Sequence, residues 1–302
     1  MAHLKEVVDR INLIAFTQQI TKAMKMVSAS KLHKIQQVLF PLKTYATQHN
    51  ALLHAALQNI DESHPVHHLS QKKIEQRLLL VVVASNRGLC GAFNKNVLRG
   101  AYEHITRRQQ ASSIPVEVLT IGKKAHQFFK KSNIPIIEAY VDLLSKPNDQ
   151  SSAELTTYCI EAFQQNSYSE IALVYTAFKN SGKQEVTVLP FLPFLPFLPF
   201  LPDIEATYKQ TTRQPHQYIY EPSQALLIAQ LIPEVLNHKI MHMLIESSAS
   251  EHAARMVTMS QATDNANDLL KALRISYNRT RQALITSALA EITSGAEALA
   301  EA

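Results

Sequence analysis

The chain has 302 residues with 46% apolar and 18% charged content and a net charge of +5, an ordered globular composition long enough for two domains or for one domain with an extended element. Six glycines, none before Gly88, leave little material for an enzyme built on several tight loops. Two cysteines, Cys90 and Cys159, exclude a disulfide framework and a cysteine metal site, so a reducing compartment is expected.

Residues 1–60 read as one long helix, without glycine and with Pro41 as the only proline. Leu4, Val7, Ile11 and Ile14, then Leu32, Ile35, Leu39 and Leu42, share a 3–4 heptad register. Between them that register falls on Gln18, Thr21, Lys25 and Ser28, so the apolar stripe is expected to move to Ile20, Met24 and Val27. Pro41 should kink or restart the helix, because proline removes one helical hydrogen bond and crowds the preceding turn. The segment is basic. No acid occurs between Asp9 and Asp61, whereas Arg10, Lys22, Lys25, Lys31, Lys34 and Lys43 do. The opening "MAHLKEVVDRINLI" carries acids and lacks a continuous apolar core, so neither a signal peptide nor a transit peptide is expected. His64, His67 and His68 in "SHPVHH" form the densest histidine group, in a polar stretch that reads as a solvated loop.

Residues 75–220 change character. The runs "RLLLVVVAS", "VEVLTIG", "IPIIEAYV", "SEIALVYTAF" and "QEVTVLPFL" read as strands. Helical stretches near 92–110, 122–132 and 151–166 separate most of them, which predicts an inserted α/β domain with a largely parallel sheet. At 190–202 proline recurs every third residue in "PFLPFLPFLPFLP". That period favours polyproline II and should end the last strand there. It reads as a repeat expanded in a tolerant loop, or as an apolar arm for a partner.

The turn "SNRGLCGAFN" after the first strand invites a phosphate or nucleophile reading. It lacks the Gly-Lys-Ser/Thr of a phosphate loop and the third glycine of a dinucleotide fingerprint. Cys90 near a helix start could be an activated thiol, but the sequence names no His or Asp partner for it. Its glycines suit a strand-to-helix turn. No carboxylate pair, metal cluster or Ser-His-Asp set stands out elsewhere. Glu251 with His252 reads as a helical surface pair, and Asp264 with Asp268 offers too few oxygens for a metal.

The last segment, 221–302, has nine acids and six bases. From Glu234 to Ser294 it contains neither proline nor glycine, so it could form a helix of ~90 Å. Such a helix needs a partner along its length, and residues 1–60 are the candidate. Its surface, rich in Ala, Ser and Thr, suits close but impermanent contacts.

Three segments together resemble the gamma subunit of the F-type ATP synthases, the bacterial type of F1 rotor shaft. They are "TQQITKAMKMVSASKL", "SNRGLCGAFN" and "SEHAARMVTMSQATDNANDLL…YNRTRQALITSALAEITSGAEAL", in the family's order from near residue 1 to residue 299. The resemblance implies a long antiparallel coiled coil of the N- and C-terminal helices with an inserted Rossmann-like α/β domain. It implies a non-catalytic subunit without cofactor or metal, turned by a proton-driven ring of c subunits. Its partners would be the alpha and beta subunits of the alpha3beta3 ring, the epsilon subunit and the c-ring. Its place would be peripheral, at the cytoplasmic side of a bacterial inner membrane, reached only through the complex. Motif matches carry contact roles to Met24 and Lys25, beside an acidic loop of beta, and to Arg281, Gln282 and Thr286, a polar catch for the ring. Arg255 is a further candidate. The end "EITSGAEALAEA" would sit in an apolar sleeve. The family usually has Asp at the position of Asn86 and a basic pair at His33-Lys34, and the Leu-Pro-Phe repeat is not a family feature. From other classes come a basic coiled-coil adaptor binding nucleic acid through residues 10–43, where only Phe16 and Phe40 could stack on bases, and a hydrolase or transferase using Cys90.

Overall fold

The computed structural model describes residues 2–57, 69, 77–112, 114–144, 148–193, 218–221 and 223–300. The histidines at 64, 67 and 68, and the Leu-Pro-Phe repeat from 194 onward, lie outside them. The chain forms two compact units, Met1–Ala29 with Arg255–Ala302, and Ser30–Ala254. Helices α1 (Ala2–Leu57) and α5 (Gln224–Ala300) contribute to both.

The Ser30–Ala254 unit is built on a five-stranded sheet of order β3-β2-β1-β4-β5. Its strands are β1 (Leu78–Val83), β2 (Val116–Ile121), β3 (Ile136–Tyr140), β4 (Glu170–Phe178) and β5 (Gln184–Leu192). The first four run parallel, and β5 returns antiparallel on β4. Helices α2 (Phe93–Ser112), α3 (Lys123–Lys131) and α4 (Asp149–Gln164) make the crossovers. The expected alternation of strands and helices is therefore present.

The unbroken apolar run of β1 follows from its central place. All six of its residues are buried, because both sheet faces are covered. Successive side chains leave on opposite faces. Leu79, Val81 and Val83 join Leu119, Ile121, Leu173 and Tyr175 in a core shared with α1, α4 and α5. Leu78, Leu80 and Val82 join Val118 and Val174 in a second core with Val97, Ala101 and Ile105 of α2 and Phe129 of α3. Each such aliphatic side chain contributes roughly 1.5–3 kcal/mol on burial. Gly122, between β2 and α3, has φ +94°, and a Cβ there would lie 2.0 Å from the Ala84 carbonyl oxygen.

The expected restart of the helix at Pro41 does not occur. α1 runs unbroken through Pro41. Pro41 and Gln37, whose carbonyl loses its helical partner, are both exposed, so water can take the missing donor's place while Leu39 and Ala46 stay buried. β5 ends inside the repeat, as expected, two residues past Pro190. It reaches Leu192 as an edge strand, where proline is tolerated. Phe191 and Leu192 are fully buried, and the Lys239 ammonium donates to the Pro190 carbonyl over 3.3 Å. The first Phe-Leu step of the repeat thus belongs to the core.

In this unit α1 and the first half of α5 enclose several polar rings. Tyr45, His49 and His238 stack with centroids 4.1–5.6 Å apart. His242 is 3% exposed, 3.6 Å from a Glu246 carboxylate oxygen. Burial, and next the Lys43 charge, push its pKa down to about 4 from 6.5. The folded protein therefore favours neutral His242. Its stability is complete above pH 6.5 and falls as pH drops from there towards 4, where the folded form also protonates. Denaturant titrations between pH 7 and pH 4 should show a loss of roughly 3 kcal/mol from this group. His242→Gln should flatten that slope.

Candidate functional site

The other unit, Met1–Ala29 with Arg255–Ala302, carries all the residues singled out for partner contact. Along α1, buried or half-buried positions recur at Leu4, Val7, Ile11, Ile14, Gln18, Thr21, Met24 and Ser28. Along α5 they recur at Met259, Thr263, Ala266, Leu270, Leu273, Tyr277 and Thr280. Both series keep the 3–4 spacing of an antiparallel helix pair.

The apolar stripe shifts as the sequence suggested only at Met24, which takes the place of Lys25 in the seam. Ile20 and Val27 are 44% and 57% exposed, and the seam passes through the polar residues instead. Gln18 Nε2 donates to Asn267 Oδ1. Thr263 Oγ1 donates to Thr21 Oγ1 over 2.9 Å, and Thr21 in turn donates to the Gln18 carbonyl. Lys25 Nζ donates to Ser260 Oγ over 2.9 Å. Polar side chains can occupy a helix seam when the facing helix supplies their partners. Leu13, Phe16, Ile20 and Val27 are thereby left on the outer surface of α1.

The candidate contact residues fall in two places. Met24 is half-buried, and Lys25 is exposed beside the seam. Arg255 is only 7% exposed, buried rather than displayed. Arg281, Gln282 and Thr286 lie about 30 Å further along α5 than Ser260, the partner of Lys25. Every residue from 281 to 296 is exposed, in contrast to the regular cover up to Thr280. Thr286 Oγ1 donates to the Gln282 carbonyl over 3.0 Å, which leaves its oxygen lone pairs facing outward. Around them Ile285, Leu289 and Ile292, 52–67% exposed, share one helix face at four- and three-residue steps. The sequence reading had placed bearing residues only beyond this stripe. The 4–3 spacing was visible, but not that α1 gives it no cover.

In the turn at 85–94, Ser85, Cys90 and Asn94 bond to one another. The Ser85 N–H donates to Asn94 Oδ1 over 3.0 Å, and Asn94 Nδ2 donates to Ser85 Oγ and to Cys90 Sγ. Gly91 and Leu89 take positive φ, 58° and 61°. Cys90 is 2% exposed and packs with Phe93 and Ala254. Burial pushes the Cys159 thiol up to about 12. Among the described residues, no group of three or more His, Cys, Asp or Glu could hold a metal, and no helix is long and apolar enough to cross a membrane.

The family described as ATP synthase matches residues 3–299. The ATP synthase gamma chain of Amoebophilus asiaticus (strain 5a2) is 42% identical over 301 residues, covering all of both chains. That of Chlorobium phaeobacteroides (strain BS1) is 38% identical over 306 residues, covering 99% of each. Among solved structures, the rotor of the Euglena gracilis mitochondrial ATP synthase superposes with a TM-score of 0.62 at 18% identity, over 94% of this chain and 99% of that one. The central stalk and c-ring of the Tetrahymena thermophila enzyme gives 0.57 at 25% identity, over 80% and 99%.

The burial of both cysteines sets an expectation for the turn. Iodoacetamide should label Cys90 and Cys159 in the native protein at least about tenfold more slowly than in the denatured chain, as inert structural thiols do. Mass spectrometry of the labelled peptides measures this, and rapid native labelling of Cys90 would restore the nucleophile reading.

Proposed function

Because this chain belongs to the ATP synthase gamma chain family and is a central-stalk subunit of that enzyme, we propose that it couples rotation of a c-ring to conformational cycling of catalytic beta subunits. On this reading the unit Met1–Ala29 with Arg255–Ala302 stands inside an alpha3beta3 ring. The sheet-bearing part, 75–220, meets the epsilon subunit and the c-ring. The chain performs no chemistry itself. It reaches a bacterial inner membrane at its cytoplasmic side, as a peripheral component held by its partners. Nucleic acid has no part in this reading.

The observation that carries it is the bare stretch 281–296. A long helix that leaves Ile285, Leu289 and Ile292 in one exposed line, next to Arg281, Gln282 and Thr286, has a surface suited to an apolar collar with polar contacts at its rim. Lys25, at the other end of the same unit, suits an acidic loop. The shaft then acts on each beta subunit as a ligand acts on a two-state protein. It shifts the equilibrium only by contacts that differ between the states. An off-centre patch such as Arg281–Thr286 provides such a difference, because at any moment it faces one member of the ring and not the other two.

Replacing Arg281 with Leu and Gln282 with Ala should therefore lower ATPase turnover of a complex reconstituted with alpha and beta subunits by roughly tenfold, the effect of losing one charge-assisted contact. The melting temperature of the isolated chain should stay unchanged, since both side chains are exposed. Unchanged turnover and torque would refute the catch assignment.

A further inference from the structure

The three polar contacts across the seam share one register. In Gln18–Asn267, Thr21–Thr263 and Lys25–Ser260 the residue numbers add to 284 or 285. On that register Ile14 falls opposite Leu270, Ile11 opposite Leu273, Val7 opposite Tyr277 and Leu4 opposite Thr280. These are the α5 positions that are buried or half-buried. On this register Leu4 faces Thr280, the last half-buried position of α5, so the register sets which α5 residues α1 covers.

The apolar layers do not enforce it. A slip of one helical turn, ~5 Å, would set Ile14 on Leu273, Ile11 on Tyr277 and Leu4 on Leu284. These three layers would still pair apolar with apolar, and Val7 would meet Thr280. Cover would advance past Arg281 and Gln282. The polar layers, however, would break. Gln18 would face Leu270 and lose its partner inside the seam, while Thr21 would face Ala266 and keep only its intrahelical bond to the Gln18 carbonyl. An unpaired polar group in a helix interface disfavours that arrangement by roughly tenfold or more, whereas a satisfied pair adds little to stability. This asymmetry is how a polar seam residue selects one register among several.

We infer that Gln18–Asn267 and Thr21–Thr263 form a register lock, which fixes where α1 ends along α5 and so positions the Arg281–Thr286 patch. The functional part of this inference rests on the reading of that patch given above; the lock itself does not. Gln18, Thr21, Thr263 and Asn267 are positioning residues, acting through the height of the exposed tip.

The test replaces the lock by apolar residues, Gln18→Leu, Thr21→Val, Thr263→Val and Asn267→Leu together, in the full complex. Register is read by disulfide formation between Ile14→Cys and Leu270→Cys for the native pairing, and between Ile14→Cys and Leu273→Cys for the slipped one. With the native seam, the first pair should cross-link and the second should lag at least about tenfold. In the apolar variant the two should approach equal yield without any fall in melting temperature, and protons pumped per ATP hydrolysed should drop about twofold or more. The exchanged pair, Gln18→Asn with Asn267→Gln, keeps donor and acceptor and should restore the single cross-link. If the apolar variant still gives only the native-register cross-link, between positions 14 and 270, the lock is refuted whatever the coupling. A slipped cross-link with unchanged coupling upholds the lock and refutes the role of the tip.

Discussion

The functional geometry depends on a mismatch in helix length. In the unit that pairs α1 with the second half of α5, α1 offers residues 2–29 and α5 offers 255–300. A helix buries its apolar face only where another surface lies beside it. The shorter helix therefore determines what the longer one exposes. Residues 259–280 of α5 show the alternating cover of a paired helix, and residues 281–296 show none. The bare end is made by the absence of a partner rather than by any special composition, and its apolar side chains remain available to another protein.

A paired section with polar layers carries a cost and an advantage. Gln18, Thr21, Thr263 and Asn267 take space that aliphatic side chains could fill, and satisfied hydrogen bonds contribute only about 1 kcal/mol each. Ser28, buried at 3% exposure, continues this economy of apolar contact. The pair is consequently less sticky than a leucine seam would be, and its outer face keeps Leu13, Phe16 and Ile20 alongside Lys22 and Lys25. For a shaft that must pass three ring positions in turn, moderate and mixed contacts on the outside matter more than maximal cohesion inside.

Much of this was legible in the sequence, and the gaps have physical causes. The five strands were visible because β-branched and aliphatic runs such as Leu78–Val83 are diagnostic of a sheet covered on both faces. The heptad register of α1 was visible too, but the reading abandoned it at Gln18 because periodicity was weighed by hydrophobicity alone. Sequence spacing on one helix cannot show that Asn267 and Thr263 stand opposite with matching donors and acceptors. Pro41 was misjudged for a related reason. Proline removes one donor, and whether that matters depends on where the orphaned groups point. Met24, Lys25, Arg281, Gln282 and Thr286 came from family motifs, whereas Ile285, Leu289 and Ile292 needed the structure, which shows that nothing in the unit covers them.

The strand-to-helix turn illustrates how a family signature can be structural. Gly122 leaves α3 without a side-chain cap of its own, because any Cβ there would strike Ala84. Asn86 supplies what is missing. Its Oδ1 accepts the Lys123 N–H over 2.9 Å, and its Nδ2 donates to the Val141 carbonyl over 2.7 Å. One side chain from the end of β1 thus ties the start of α3 to the residue that follows β3. An aspartate there would keep the first bond and gain from the helix dipole, but it could not donate to Val141. Asparagine exchanges that electrostatic gain for a second neutral hydrogen bond. Both ends of the carboxamide are thus occupied, and Ser85, Cys90 and Asn94 are bonded among themselves. The constraint that Gly122 imposes where β2 leads into α3, rather than any chemistry at Cys90, accounts for an amide-bearing residue at this position.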